Sequence, residues 1–221
     1  MQVQTSQYQQ GTRISTPIFV EADGVVDKLK IRSLTGDDAL CKKVVAFLEN
    51  NVFEFYKNGQ GYTHQEAVNT VKLLRDRFEN GIPFSGLAVL DGEQVVGFIR
   101  IGFDSDPRKL QIAGMCLKDY ENKGYGQQAL QWVMTQYLPA LHKKGYRLSV
   151  LNPDGKTVRE WVDLDKTSIV ATVHPDHLHG NHLLTKCGFK LVKKIRINEF
   201  SGAHDSRRNV HEIALGRFMP K

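Results

Sequence analysis

The chain has no apolar run near the roughly 20 residues that a bilayer-spanning helix needs, so a helical membrane anchor is excluded and no membrane partner is expected. Met1 to Gly11 is polar and Gln-rich, without the apolar core of a secretory signal. There are only three cysteines, Cys41, Cys116 and Cys187, an odd count with no CxxC pair. Each sits in an apolar, periodic segment, so buried free thiols in a reducing compartment, the cytoplasm, are expected rather than a disulfide framework. Two phosphate-binding signatures are also missing. No GxxxxGK precedes a Ser or Thr, which excludes a P-loop. The GxG that opens the long helix, Gly124-Tyr125-Gly126, is followed by Ala129 where a dinucleotide fingerprint needs a third glycine.

What remains is a chain of 221 residues with an ordinary share of apolar and charged residues, enough for one large domain or one domain with an insertion. The formal charge is +6. Its cations are scattered except for Lys190, Lys193, Lys194 and Arg196, and for Arg207-Arg208. No nucleic-acid motif accompanies them, so no nucleic-acid partner is expected. They form a solvated surface with a bias towards anionic ligands.

Residues 1–15 read as a polar tail, and 16–221 as the folded domain. Asp27 to Leu34 alternates apolar and charged side chains, a strand with one wet face. Thr35-Gly36-Asp37-Asp38 caps a helix running to about Asn50. Thr63 and Glu66 form a capping box for a second helix, which ends at Asn80-Gly81. Between the helices lies Phe53 to Tyr62, aromatic packing or, less favoured, a substrate wall. Leu87 to Leu90 and Val95 to Phe103 flank an Asp-Gly turn, a β-hairpin. Leu110 to Leu117 extends it to a three-strand meander. A long helix with Leu130, Val133, Met134, Tyr137, Leu138 and Leu141 on one face follows, kinked or ended by Pro139. Residues 146–165 read as an extra hairpin turning at Asn152-Pro153-Asp154-Gly155. Ser168 to Val173 is a buried strand, and His177 to Cys187 a short helix stopped by Gly188. Leu191 to Ile197 and Val210 to Leu215 are the last strands, joined by the polar loop Asn198 to Asn209. The expected class is α/β: a mixed, mostly antiparallel sheet flanked by helices, with an inserted β-hairpin.

Glu121 to Gln128 links the meander to the long helix. Two Cβ-free positions let the backbone turn tightly, and the helix start adds unpaired N–H donors and the positive end of its dipole. Strand, glycine loop and helix start make a seat for phosphate or pyrophosphate.

Glu121-Asn122-Lys123-Gly124-Tyr125-Gly126, with the strand order before it and Gly188-Phe189 after it, resembles the GNAT superfamily of acetyl-CoA-dependent N-acetyltransferases. Lys123 to Gly126 with Ala129-Leu130, Arg32-Ser33-Leu34 with Asp37-Asp38, and Gly97-Phe98-Ile99 resemble the subgroup that acetylates protein N-termini and ribosomal proteins. Leu183 and Lys186 resemble the family's closing helix. The resemblance covers about residues 27–197. It implies a GNAT-like sheet and acetyl-CoA as cosubstrate. The acetyl group would pass to a primary amine by direct attack in a ternary complex, with a protein N-terminus or lysine as acceptor. A small amine such as a polyamine or amino sugar, a longer acyl group, and a non-catalytic CoA-binding module are the other readings.

On that resemblance Asn122, Lys123, Gly124, Tyr125, Gly126 and Gln127 hold the CoA pyrophosphate through backbone N–H groups. Met115, Cys116 and Leu117 offer strand backbone to pantetheine and an N–H to the oxyanion, with Ala113-Gly114 allowing a bulge that opens the gap. Several positions depart from the family. Glu121 stands where Arg or Gln is usual. Gln111 replaces the Glu base and cannot take a proton. Leu184 replaces the Tyr that protonates the thiolate. The candidates left for proton transfer are Asp104, with Asp106 beside it in the same turn, and His177, which occupies the place of a pantetheine-binding Asn. Asn181, one turn on, would restore that contact. Cys187 reads as core. His174, His177, His179, His182 and Asp176 are close in sequence, but no metal is expected, because His174 belongs to the turn before Pro175. For the hairpin at 146–165, an acceptor gate and a homodimer contact stand beside a tolerated surface insertion.

Overall fold

The computed structural model describes residues 23–51, 61–152, 157–196 and 207–220. The polar tail, the aromatic segment from Phe53, the Pro153-Asp154-Gly155 turn and most of the Asn198 to Asn209 loop lie outside the described residues.

Strands β1 (Gly24–Val26) and β2 (Leu29–Ser33) form a small hairpin, where the sequence pattern shows a single strand. Asp27, at φ 52°, turns the chain between them. Helix α1 (Asp38–Glu49) is capped by Asp37, whose carboxylate accepts from Leu40 N at 2.8 Å. Helix α2 (His64–Glu79) begins with the expected capping box: Thr63 N donates to Glu66 Oε2 at 2.9 Å, and the Thr63 hydroxyl accepts from Glu66 N. The meander is β3 (Gly86–Asp91), β4 (Gln94–Phe103) and β5 (Lys109–Cys116).

The long helix is not broken by Pro139. Helix α3 (Tyr125–Trp132) passes through a π turn, Val133–Tyr137, into α4 (Leu138–Lys143). The wider turn lies just before the residue that has no N–H to give, and so absorbs the proline without ending the helix. Strands β6 (Arg147–Leu151) and β7 (Val158–Asp163) pair only with each other. Then come β8 (Ser168–Val173), α5 (Leu178–Lys186), β9 (Lys190–Arg196) and β10 (Arg207–Ala214).

The main sheet has the order β1-β2-β3-β4-β5-β8-β10-β9, antiparallel throughout except for β5 against β8. Helices α1 and α2 cover one face, packing Leu40, Val44, Leu48, Val71 and Leu74 on Ala88, Leu90 and Phe98. On the other face α3, the π turn, α4 and Leu184 of α5 meet Leu110, Ile112, Ile169 and Ile213. The β6–β7 hairpin is no loose insertion. Tyr146, Leu148, Val150, Val162 and Leu164 are all buried in this second core, and Tyr146 stacks edge-on against Phe84 at 4.9 Å. Arg108 donates to Glu160 at 2.8 Å and ties the hairpin to the start of β5.

Candidate active site

Strands β5 and β8 pair side by side over only three positions: Lys109 with Ser168, Leu110 with Ile169, and Gln111 with Val170. Beyond Gln111, β5 follows β4 alone and β8 follows β10 alone. Two parallel strands that part in mid-sheet leave a wedge at their carboxyl ends, with unpaired backbone along both walls. The β4–β5 register is unbroken from Phe103–Leu110 to Gly97–Cys116, so the bulge expected at Ala113-Gly114 is absent and the wedge comes from β8 turning away. Ala113 and Gly114 are exposed on its β5 wall.

The register also decides which β5 amides line the wedge. Asp104 N donates to Lys109 O at 3.1 Å, and Leu117 N to Val96 O at 3.0 Å, at the two ends of the β4–β5 ladder. In an antiparallel ladder the polar groups of alternate residues point to the same side. The odd residues, including Met115 and Leu117, therefore face β4, and the even ones, including Gly114 and Cys116, face the wedge. This corrects the expectation for Met115-Cys116-Leu117: only the Cys116 backbone is directed at the opening, and Gly114 joins it.

After β5 a 3-10 turn, Lys118–Tyr120, leads into the glycine loop. Asn122 at φ 61° and Gly124 at φ 81° both adopt the left-handed conformation, which glycine takes freely and Asn tolerates. No side chain caps α3, and Gln128 N is bonded back to Gly124 O at 2.9 Å. The N–H groups of the first turn, at Tyr125, Gly126 and Gln127, lie before that bond and have no carbonyl one turn behind them. The side chains of the loop work as anchors. Tyr125 is buried and donates its hydroxyl to Asp91 Oδ2 at 2.7 Å. Lys28 bonds the same carboxylate at 3.0 Å, and the Tyr125 and Asp91 contacts push its ammonium up to about 12. Gln128 Nε2 donates to Asp27 at 2.9 Å. Gly126 comes close to α5, since a Cβ there would meet Leu183 Cδ2 at 3.4 Å. Lys123 lies over the Tyr120 ring at 4.6 Å. Glu121 is exposed. Burial first, and then the Glu121 charge, push the Cys116 thiol up to about 11, so it stays protonated at neutral pH.

The remaining candidates separate. Asp104 is not at the wedge. It closes the β4–β5 turn, accepting from Asp106 N at 3.0 Å, level with Lys109 at the paired end of β5. Four residues of strand, roughly 13 Å, separate that level from Ala113. The turn-forming role accounts for it, and it corrects the expectation of a base there. His177 precedes α5, just past the end of β8 and so near the mouth of the wedge, with its ring packed where a Gly180 side chain would stand. Asn181 has both ends of its amide occupied. Nδ2 donates to His174 O at 2.9 Å and His177 O at 2.8 Å, while Oδ1 receives Asn209 Nδ2 and faces His211 Nε2, each at 2.9 Å. It pins the β8–α5 turn to β10, which corrects its expected contact with a ligand. Desolvation holds the His211 imidazolium below its usual pKa, so the neutral ring sits against Asn181.

Asn181→Ala strands His211 and Asn209 without partners in a buried place. A loss of about 1–3 kcal/mol is expected, read as a lower denaturant midpoint. An unchanged midpoint with a raised KM for the cosubstrate would instead give Asn181 back to the ligand.

Among the described residues no group of three metal-ligating side chains comes together. Cys41 is buried, but Cys116 and Cys187 are only half-buried, so the expectation of three buried thiols holds for one.

Three residues escaped the sequence reading. Glu212 accepts from Ser168 Oγ at 2.6 Å and Lys109 Nζ at 2.7 Å. Burial would raise its carboxyl, but those two partners hold it below the usual range. It shares a row across the sheet with Gln111 and Val170. Arg77 and Arg100 are half-buried on the same face as Gln111. The signal for Arg100 was available: it is the one charged residue in β4.

A phosphate seat at a helix start, with a wedge opening directly before it between parallel strands, suits a long acyl carrier whose pyrophosphate sits in the loop and whose amide arm completes the sheet. The family model for the acetyltransferase (GNAT) domain matches residues 28–190. The chain belongs to the GNAT acetyltransferase family. It is thus a transferase that takes acetyl-CoA as cosubstrate. No curated protein sequence matches it. Among solved structures, a GNAT-family acetyltransferase from Bacillus anthracis superposes with a TM-score of 0.62 at 15% identity, covering 87% of this chain and 98% of that one. A ribosomal alpha-N-protein acetyltransferase solved in complex with coenzyme A gives 0.59 at 14% identity, covering 87% and 97%. A spermidine N-acetyltransferase chimera built on the Vibrio cholerae enzyme gives 0.57 at 13% identity, covering 87% and 99%. At such identities the likeness is one of fold.

In this GNAT domain the residues present fit CoA. The loop from Asn122 to Gln127 would supply donors for the pyrophosphate, and the even-numbered amides of β5 would supply the strand edge for pantetheine.

Proposed function

We propose that the protein acetylates the α-amine of a polypeptide N-terminus, by direct attack on acetyl-CoA held in the β5–β8 wedge. The single observation that carries this is Gln111. It stands on the last paired row before the wedge, on the α1/α2 face, where the family resemblance calls for a carboxylate base. A glutamine cannot take the proton, so the amine must arrive largely neutral. An α-amino group, with pKa about 7.7–8.0, is roughly a quarter neutral near pH 7.4, whereas a lysine near 10.4 is neutral about once in a thousand. That ratio favours an α-amine over lysine or a polyamine. Proximity and loss of water from the amine then supply much of the rate.

His177, past the end of β8, is the candidate that would give a proton to the departing thiolate. The β6–β7 hairpin packs on the α3 face at the paired end of β5, away from the wedge mouth, which favours a role in the core over gating the acceptor.

The test is thiol release from acetyl-CoA with four acceptors: a peptide with a free N-terminus, the same peptide N-blocked but carrying lysine, spermidine, and glucosamine. Turnover is expected on the free N-terminus, with kcat/KM rising with pH to the amine's own pKa. Preference for spermidine or the lysine peptide would overturn the reading. Tight CoA binding without turnover on any amine would leave a CoA-binding module in its place.

A further inference from the structure

The α1/α2 face of the wedge holds two guanidinium groups that have no counter-ion among the described residues. Arg100 on β4 stands between Gly86 of β3 and Ala113 of β5. The next residue of β4 on that face is Gly102, which pairs with Gln111. A Cβ on Gly102 would meet nothing within 4 Å, and Ala113 is exposed. The floor around Arg100 on the wedge side is therefore low and open. Gly86 itself is closed from above, since a Cβ there would lie 2.5 Å from Phe98 and 2.9 Å from Leu74 of α2.

Arg77 belongs to the helix layer over the same face. It lies in the last turn of α2, and its carbonyl accepts from Ile82 N at 2.8 Å as the chain turns down towards Gly86, the register partner of Arg100. Burial, and then the charge of Arg100, push the Arg77 guanidinium below its usual pKa, so the two cations feel each other. Neither side chain has an ion pair or hydrogen bond among the described residues. Glu79 and Asp38 are committed to Arg75, and Glu212 to Lys109 and Ser168. Two half-buried like charges repel, and an anion between them relieves both the repulsion and the lost hydration, with the guanidinium fork suited to a carboxylate.

The location gives this pair a partner. Arg100 is level with Ala113, two residues past the last β5–β8 rung, on the face from which the amine would approach. That is within roughly 10 Å of the point where the strands part. An extended peptide advances about 3.5 Å per residue, so an anion there belongs to the second or third residue of an acceptor whose first residue is at the thioester.

We propose that Arg77 and Arg100 form a carboxylate seat beside the acceptor amine, and that the acceptor is a polypeptide N-terminus with an acidic side chain at its second or third residue. This rests on the N-terminal acetyltransferase reading and narrows its substrate.

The experiment uses the full chain and two amidated peptides identical except at residues two and three, Glu-Asp in one and Gln-Asn in the other. The acidic peptide is expected to have a kcat/KM at least tenfold higher, carried by KM. Arg100→Gln should erase that preference without changing the KM for acetyl-CoA, Arg77→Gln should reduce it, and Arg100→Lys should keep part of it. Lys72→Gln, on the exposed side of α2, should leave it alone. Thermal unfolding checks each variant, and Arg77→Gln carries the test if Arg100→Gln does not fold. A second readout needs no turnover. Labelled N-acetylated forms of both peptides are titrated into the CoA-loaded protein by fluorescence anisotropy, with tighter binding of the acidic form, lost in Arg100→Gln, expected. Equal use and equal binding of the two peptides, or an Arg100→Gln variant that weakens both alike, would overturn the seat. Absence of turnover with acidic-selective binding intact would overturn only the catalytic reading.

Discussion

Gly114→Pro is expected to lower kcat by about 10²–10³-fold while the protein still folds and binds CoA. Gly114 carries the first unpaired wedge-facing N–H beyond the last β5–β8 rung, where the proposed attack of an amine on the thioester would form an oxyanion. One such donor is commonly worth about 2.7–4 kcal/mol of transition-state stabilisation. Proline removes that donor and no ladder bond, because the residue's polar side faces an edge with no strand beside it. Cys116→Pro, one wedge-facing amide further on, should act more on the KM for acetyl-CoA, because its backbone would meet the pantetheine arm. Steady-state kinetics with CoA affinity measured in parallel separates the two effects. If Gly114→Pro keeps kcat within threefold, the oxyanion donor lies elsewhere.

The second large effect is expected at Gly124. At φ 81° a side chain costs roughly 1–2 kcal/mol, and a β-branched one sits at the upper end. In Gly124→Val the loop escapes that cost by leaving the conformation that aims the Tyr125, Gly126 and Gln127 amides. The KM for acetyl-CoA should rise about tenfold or more, because about 1.4 kcal/mol of binding is a factor of ten. Gly124→Asn is the internal control, since Asn122 already holds φ 61° in the same loop. It should retain most of the affinity. Equal losses in both variants would show that the loop needs glycine for close approach to the ligand rather than for its backbone angle.

Much of this was legible before any coordinates. The capping box at Thr63 and Glu66, the Asp-Gly hairpin and the Gly188 stop are local devices, in which each residue's neighbours in sequence are its partners in space, and each formed as read. The glycine loop was legible for the same reason. What failed were the placements of single residues decided across the sheet. Asp104 looks the same in sequence whether its turn lies at the open or the closed end of the β5–β8 pair. Asn181 fits a ligand amide or a buried pin equally well until Asn209 and His211, 28 and 30 residues away, arrive at its carbonyl. Met115, Cys116 and Leu117 were assigned to pantetheine together because spacing does not say which side of a strand its amides face.

The sequence by itself determined most of the elements and the glycine loop, because helix caps, tight turns and a glycine loop are short-range consequences of residue type. The tertiary structure alone decided where the sheet opens, which amides line the opening, and that Arg77 and Arg100, 23 positions apart, share a face without a carboxylate partner among the described residues. Strand pairing and charge clustering are long-range, and no local pattern records which strand a given edge will leave unpaired.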